Sequence, residues 1–203
     1  MKKVLITGFE PYKNDPISAS CEIAKLIKIQ PSMAEVINLV LPVEFGKGKD
    51  ALISALNCYE PNIVIMLGQS VGKASIRFER VAINIASSTI DDNIGYCPNE
   101  EPINPLGPDA YFSTLPIVQM KNSSKEIGIP ADISNSAGTY LCNYVYYLAL
   151  DWASRMNSKT KVIFIHFPLL PEQVIDNPNR PSMNKTDIAK GITASILPLI
   201  KDN

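Results

Sequence analysis

The chain has 203 residues, 46% of them hydrophobic and 19% charged, enough to bury roughly two thirds or more of its unfolded surface in one domain without disulfides or metals. Its net charge of −1 gives no electrostatic reason for nucleic acid or an anionic membrane as a partner, and no apolar run approaches the roughly 18 to 20 residues of a membrane span. The opening "MKKVLITGF" is too short and too strand-like for a signal-peptide core, so the cytoplasm is the expected location.

Val4 to Phe9 is the first of four short apolar runs rich in β-branched residues, each reading as a strand buried on both faces. Ile23, Leu26 and Ile27 then mark a helix that Pro31 closes, and Val36 to Leu41 is the second such strand. Ala51, Leu52, Ala55 and Leu56 mark a second helix with Pro61 beyond its end, followed by a third strand at Ile63 to Leu67. Arg77 to Ile85 alternates well enough for another strand. From Asp91 to Asp109 the sequence is crowded with prolines, glycines and acidic residues, which predicts a long irregular loop, a candidate wall for a pocket. Pro116 introduces a helix over Ile117 to Ile127 that Gly128 and Pro130 end. Leu141, Val145, Leu148 and Trp152 fall on one helical stripe, Val162 to Phe167 is the fourth buried strand, and Ser182 can cap a last helix running toward Ile196. Strand and helix alternating in this way predict an α/β fold: one three-layer domain over residues 1–203, with a mostly parallel central sheet flanked by helices.

The four cysteines, Cys21, Cys58, Cys97 and Cys142, are widely spaced and accompanied by a single histidine, so neither a zinc site nor a disulfide framework is expected and the thiols read as reduced. In open parallel sheets, ligands bind beyond the carboxyl ends of the strands. Three features point there: His166 at the end of "KVIFIHFP", the stretch "LGQSVGK" after the third strand, and the loop Ser134 to Thr139, which delivers Cys142 into the first turn of a helix. A thiol so placed feels the positive end of the helix dipole, which favours thiolate, and free backbone N–H groups nearby can stabilise an anion on an attacked carbonyl. His166 beside it would complete an ion pair and protonate a leaving amine, with a carboxylate needed to hold the imidazole. The plainer reading is an inert buried cysteine and a structural histidine; Cys21, Cys58 and Cys97 read as inert or as loop residues.

The blocks "TGFEPY", "LPVEFGK", "LGQSVGKASIRFERVAIN", "DDNIGY", "DAYFSTLPI", "GIPADISNSAGTYLCNYVYY" and "IHFPLLPEQV", in order and over essentially the whole chain, resemble the pyroglutamyl peptidase I (pyrrolidone carboxyl peptidase) family. The resemblance implies a cytosolic cysteine peptidase that removes an amino-terminal pyroglutamyl residue through a Cys-His-Glu triad and a thioester acyl-enzyme, with no cofactor. Carried over by motif, the nucleophile is Cys142 in "YLCN", the base and acid is His166 in "FIHFP", and the orienting carboxylate is Glu79 in "RFERVAIN". Read from the residues alone, Glu79 is a surface charge paired with Arg77 or Arg80. The resemblance also puts Phe9 and Tyr12 around the lactam ring with Gln69, Ile90, Tyr140 and Leu141 nearby, although Phe9 and Leu141 read equally as core. It further implies a homo-oligomer, a tetramer or dimer.

Several positions depart from the family pattern. Where that pattern reads Phe-Glu-Pro-Phe-Gly-Gly the chain has "FEPYKN", so Tyr12 carries a hydroxyl and Lys13-Asn14 replaces two glycines, leaving a loop less free to take positive φ. Glu44 stands where a small or apolar residue is usual and would need a partner or solvent. Where Asp-Ala-Arg-Ile-Pro-Asp-Asn is common the chain has "SSTIDDN", with Thr89 in the place of the arginine and no acid at Ser87. A lost oxyanion donor would cost on the order of 10²- to 10³-fold in rate. These changes leave an alternative: a divergent paralogue that binds lactam-like or capped peptide ends with weakened or altered activity.

Overall fold

The computed structural model describes residues 1–13 and 15–201. In chain order its elements are β1 (Lys2–Phe9), α1 (Ala19–Leu26), β2 (Ala34–Leu41), α2 (Phe45–Tyr59), β3 (Ile63–Gln69), β4 (Ile76–Glu79), β5 (Val81–Ile83), β6 (Ala110–Phe112), α3 (Ile117–Glu126), β7 (Ala131–Ser134), α4 (Leu141–Arg155), β8 (Lys161–Phe167) and α5 (Lys185–Lys201), with a 3-10 turn at Pro171–Gln173. Six strands form the main sheet in the order β2-β1-β3-β8-β4-β7. It is mostly parallel, as predicted; β4 alone meets a neighbour, β8, in antiparallel fashion.

Helices cover both faces of this sheet. Val4, Ile6, Ile65, Phe78, Ile165 and Phe167 point to one side and pack with α1, α3 and α5. Leu5, Val64, Met66, Val162 and Phe164 point to the other and pack with α2 and α4. Each fully buried large apolar side chain contributes about 1.5–3 kcal/mol, so the two layers anchor the sheet strongly on both sides. Helix α4 is buried well beyond the expected stripe: Tyr146, Tyr147, Ala149 and Leu150 join Leu141, Val145, Leu148 and Trp152 inside.

Several expectations need correction. The strand read as Arg77 to Ile85 breaks at Arg80. The Arg80 N–H still donates to Ser134 at the end of β7 (2.8 Å), while its carbonyl already accepts from Ser113 beyond β6 (2.8 Å). The chain therefore leaves the main sheet there, and β5 pairs with β6 in a separate antiparallel ribbon. β2 is not buried on both faces, because it is an edge strand and Glu35, Asn38 and Val40 reach solvent. Helix α2 begins at Phe45, earlier than its apolar spacing suggests, because the buried Asp92 carboxylate accepts the Phe45 N–H (3.1 Å) and ends that helix from outside its own sequence. Ser182 caps nothing: it bridges to Leu169, and α5 starts three residues later, where the Asn184 carbonyl accepts from Asp187 and Ile188. From Asn84 to Asp109 the chain forms no named element, and the carboxylate of Asp92 organises it by also accepting from Ile94 (3.0 Å) and Tyr96 (2.9 Å).

Candidate active site

Three neighbouring strands and one helix end converge at the carboxyl edge of the sheet. In register, Gly68 of β3 lies opposite His166 of β8, and Arg77 of β4 lies opposite the same histidine from the other side. His166 is 6% exposed and Glu79 is 0% exposed. The Glu79 Oε1 sits 2.8 Å from His166 Nδ1. The surface-charge reading of Glu79 is thus corrected: its carboxylate is buried against the imidazole, while Arg80 donates instead to Asn135 (2.8 Å). Odd and even residues of β4 explain this, since Ile76 and Phe78 join the core layer with α1, α3 and α5, which turns Glu79 to the opposite face.

Cys142 is the second residue of α4 and half-buried. The side chain of its N-cap, Tyr140, makes no capping hydrogen bond, which leaves first-turn N–H groups of α4 without that partner. Gly68 makes room for the sulfur: a Cβ there would lie 3.0 Å from Cys142 Sγ and under 3 Å from the Phe164 ring. The Phe164 ring in turn packs 4.7 Å from the imidazole, centroid to centroid. Burial is the largest influence on His166 and pushes its pKa down, but the hydrogen bond and charge of Cys142, followed by those of Glu79, outweigh it and raise the value to about 9.

Two supports were not anticipated from sequence. Asn143, adjacent to the thiol, accepts from the Ile83 N–H (2.9 Å) and donates to the carbonyls of Ile83 (2.9 Å) and Ile85 (3.0 Å), bolting α4 to β5. Tyr146, one turn after Cys142, donates to the Glu79 carbonyl (3.1 Å). A buried amide and a buried hydroxyl in an apolar helix are the signals that could have found them, because buried polar groups require partners.

A cleft of about 650 Å³ opens in front of Cys142 and is lined by Phe9, Tyr12, Gln69, Ile90, Tyr140 and Leu141, together with Val43. Phe9 and Leu141 are core and lining at once, since both are at least nine-tenths buried. Exposed Asp15, Glu172 and Arg180 stand at its rim. Gln69 exchanges amide hydrogen bonds with Gln173 of the turn after β8, whose carbonyl oxygen also accepts from the Leu170 N–H (2.9 Å).

The Tyr12 hydroxyl donates to the Asp91 carbonyl (2.8 Å). Lys13 adopts φ +48°, contrary to the expectation for a chain that lacks glycine there, and its N–H is held by Asn93 Oδ1 (2.8 Å); Asn14 lies outside the described residues. Glu44 forms an ion pair with Lys47 (2.9 Å) and accepts its hydrogen bond at Oε1 (3.1 Å), and it takes no part in the cleft lining. Thr89 is exposed and is likewise not part of that lining. All four cysteines are free thiols. Among the described residues no group of three or more His, Cys, Asp or Glu side chains gathers where a metal ion could sit, and no helix is long and apolar enough to cross a membrane.

A family model described as pyroglutamyl peptidase matches residues 2–202. The pyrrolidone-carboxylate peptidase of Alkaliphilus oremlandii is 44% identical over 194 residues, which is 96% of this chain and 91% of that one. That of Lactobacillus johnsonii is 40% identical over 199 residues, covering 98% and 93%. Among solved structures, a mutant pyrrolidone carboxyl peptidase from Pyrococcus furiosus superposes with a TM-score of 0.93 at 41% identity, covering 98% of this chain and 99% of that one. Pyroglutamyl peptidase I of Bacillus amyloliquefaciens gives a TM-score of 0.90 at 36% identity, covering 96% and 95%.

Proposed function

Since the chain belongs to the pyroglutamyl peptidase family, we propose that it hydrolyses the amide bond after an amino-terminal pyroglutamyl residue, with Cys142 as nucleophile, His166 as acid and base, and Glu79 as the group that orients the imidazole. The observation that carries this reading is the buried Glu79–His166 pair beside a thiol at the start of α4, in front of a largely uncharged cleft.

Glu79 accepts the Nδ1–H of His166, which leaves Nε2 for the thiol. The Cys142 thiolate attacks the carbonyl carbon that joins the lactam ring to the next residue, and the N–H groups of the first turn of α4 stabilise the oxyanion. As the tetrahedral species collapses, the C–N bond breaks, and the imidazolium gives its proton to the departing amine. Water, deprotonated by His166, then attacks the thioester carbonyl; the C–S bond breaks, pyroglutamate leaves, and the Cys142 thiolate beside a protonated His166 is restored. The lactam is uncharged, and an apolar slot with a few hydrogen-bonding groups, such as that of Phe9, Tyr12, Ile90, Tyr140, Leu141 and Gln69, suits it.

A paralogue that only binds is the poorer reading, because a binder has no use for a carboxylate buried behind a histidine and Thr89 stands outside the cleft. The remaining proposals are cytoplasmic action, where a thiol enzyme stays reduced, and assembly with further copies of the chain, which light scattering in solution decides. The activity itself is tested by release of a fluorescent amine from a pyroglutamyl amide. Release by the wild type, its absence in Cys142→Ser and its absence with a prolyl amide are expected. Release that survives Cys142→Ser would overturn the assignment of the nucleophile.

A further inference from the structure

One backbone carbonyl gathers much of the cleft wall. The hydroxyls of Tyr12 (2.8 Å) and Tyr140 (3.2 Å) both donate to the carbonyl of Asp91. Those two tyrosines come from remote segments: one follows β1, the other is the N-cap of the helix that carries Cys142. Both line the cleft, as does Ile90, the neighbour of Asp91.

The segment around that carbonyl is pinned at its ends but not in its middle by apolar burial. At Ser87, the N–H donates to the Thr139 carbonyl (2.9 Å) and the carbonyl accepts from the Thr139 hydroxyl (2.7 Å). At Asn93, the side chain accepts from the Lys13 N–H (2.8 Å) and donates to the Pro11 carbonyl (3.0 Å) and Glu10 Oε1 (3.1 Å). Inside these pins the Ser88 N–H donates to the Pro98 carbonyl (2.9 Å), and buried Asp92 donates to the Tyr96 carbonyl (2.8 Å) and accepts from the Phe45 N–H (3.1 Å). The stretch left between them is Thr89 to Asp91, where Ile90 is 51% exposed, so packing fixes it weakly and the hydroxyl contacts to Asp91 are what tie it to the cleft wall. Tyr12 and the segment "SSTIDDN", two of the departures noted above, meet at this hub.

We propose that Tyr12 and Tyr140 are positioning residues for the lactam: their hydroxyls, sharing the Asp91 carbonyl, strap the stretch from Thr89 to Asp91 across one wall of the cleft and hold Ile90 against the bound ring. The proposal rests on the peptidase reading for its substrate. Two donors on one acceptor make the device redundant. Loss of either hydroxyl leaves the other in place, and loss of both frees the strap. Burial raises the pKa of the Tyr140 hydroxyl, so it keeps the proton it donates throughout the neutral range.

The test compares wild type, Tyr12→Phe, Tyr140→Phe and the double variant, each of which keeps its ring in the cleft. On a pyroglutamyl amide, each single change is expected to raise KM by about 2- to 3-fold and the double by about 10-fold or more, with a much smaller change in kcat. Hydrogen exchange at the amides of Ser88, Ile90 and Asp92, which are hydrogen-bonded within and beside this stretch and whose exchange needs no substrate, should quicken in the double variant. An unchanged KM in the double variant, or a fall in kcat as large as the rise in KM, overturns the positioning role. If the wild type releases no amine, the peptidase reading fails on its own, and exchange alone decides the strap: unchanged exchange in the double variant overturns it.

Discussion

The single histidine of the chain makes the state of the site directly readable. With its pKa raised to about 9 by Cys142 and Glu79 against the opposing pull of burial, His166 should hold its proton through neutrality. Its lone imidazole resonance should titrate near 9 in the wild type and lower in Cys142→Ser, and kcat/KM should fall above about pH 9 as the proton for the leaving amine is lost. A midpoint near the ordinary value of about 6.5 would contradict that picture. Gly68 offers a second check. Gly68→Ala puts a methyl group within 3.0 Å of Cys142 Sγ, and a displaced nucleophile should cost about 10²-fold in turnover, with about 1–3 kcal/mol lost to overpacking; undiminished turnover would mean that the sulfur does not work from that position. At this scale, the location of Cys142 and His166 at element ends was legible in sequence. The environment of Glu79 was not, because a carboxylate between two arginines looks solvated until the pleat of β4 and its neighbour β8 are known.

Elements were legible where their burial is uniform. β1, β3 and β8 lie inside the sheet with helices on both faces, which leaves continuous apolar runs in the sequence. β6 and β7, at three and four residues, owe their existence to partners far along the chain, and no local pattern announces them. The same holds for the break at Arg80, which follows from where its N–H and carbonyl find partners. Helix ends also depend on remote groups, as Asp92 does for α2. The other end of α2 carries a local cost: Glu60 closes it in the left-handed region at φ 44°, ψ 59°, with its N–H on Leu56. Glycine is favoured there, and an acidic side chain opposes the helix dipole. Glu60→Gly is therefore expected to stabilise the protein by about 1 kcal/mol, measured as a higher urea midpoint; a lower midpoint would show that the Glu60 side chain makes a compensating contact.

For the whole molecule, the architecture followed from the alternation of strands and helices, while the cleft did not, because it is assembled from loops after β1, β3 and β8, the span near Ile90 and the start of α4. Charge on His166 links this site to global stability. A group whose pKa rises on folding stabilises the native state fully below its unfolded value of about 6.5 and loses that contribution as pH climbs through about 9. The denaturant midpoint should accordingly fall across that window, and fall less in Cys142→Ser; equal slopes in both proteins would separate stability from the site. The central claim, that Cys142 is a nucleophile activated in front of a lactam-binding cleft, is tested most directly by alkylating the folded protein near neutral pH and mapping the four thiols by mass spectrometry, with and without 2-pyrrolidone. Cys58 and Cys97 are exposed whereas Cys142 is only partly so, so access alone predicts that Cys142 reacts after them. The account predicts that Cys142 reacts first and that the lactam protects it; Cys142 reacting last, unaffected by the lactam, would contradict it.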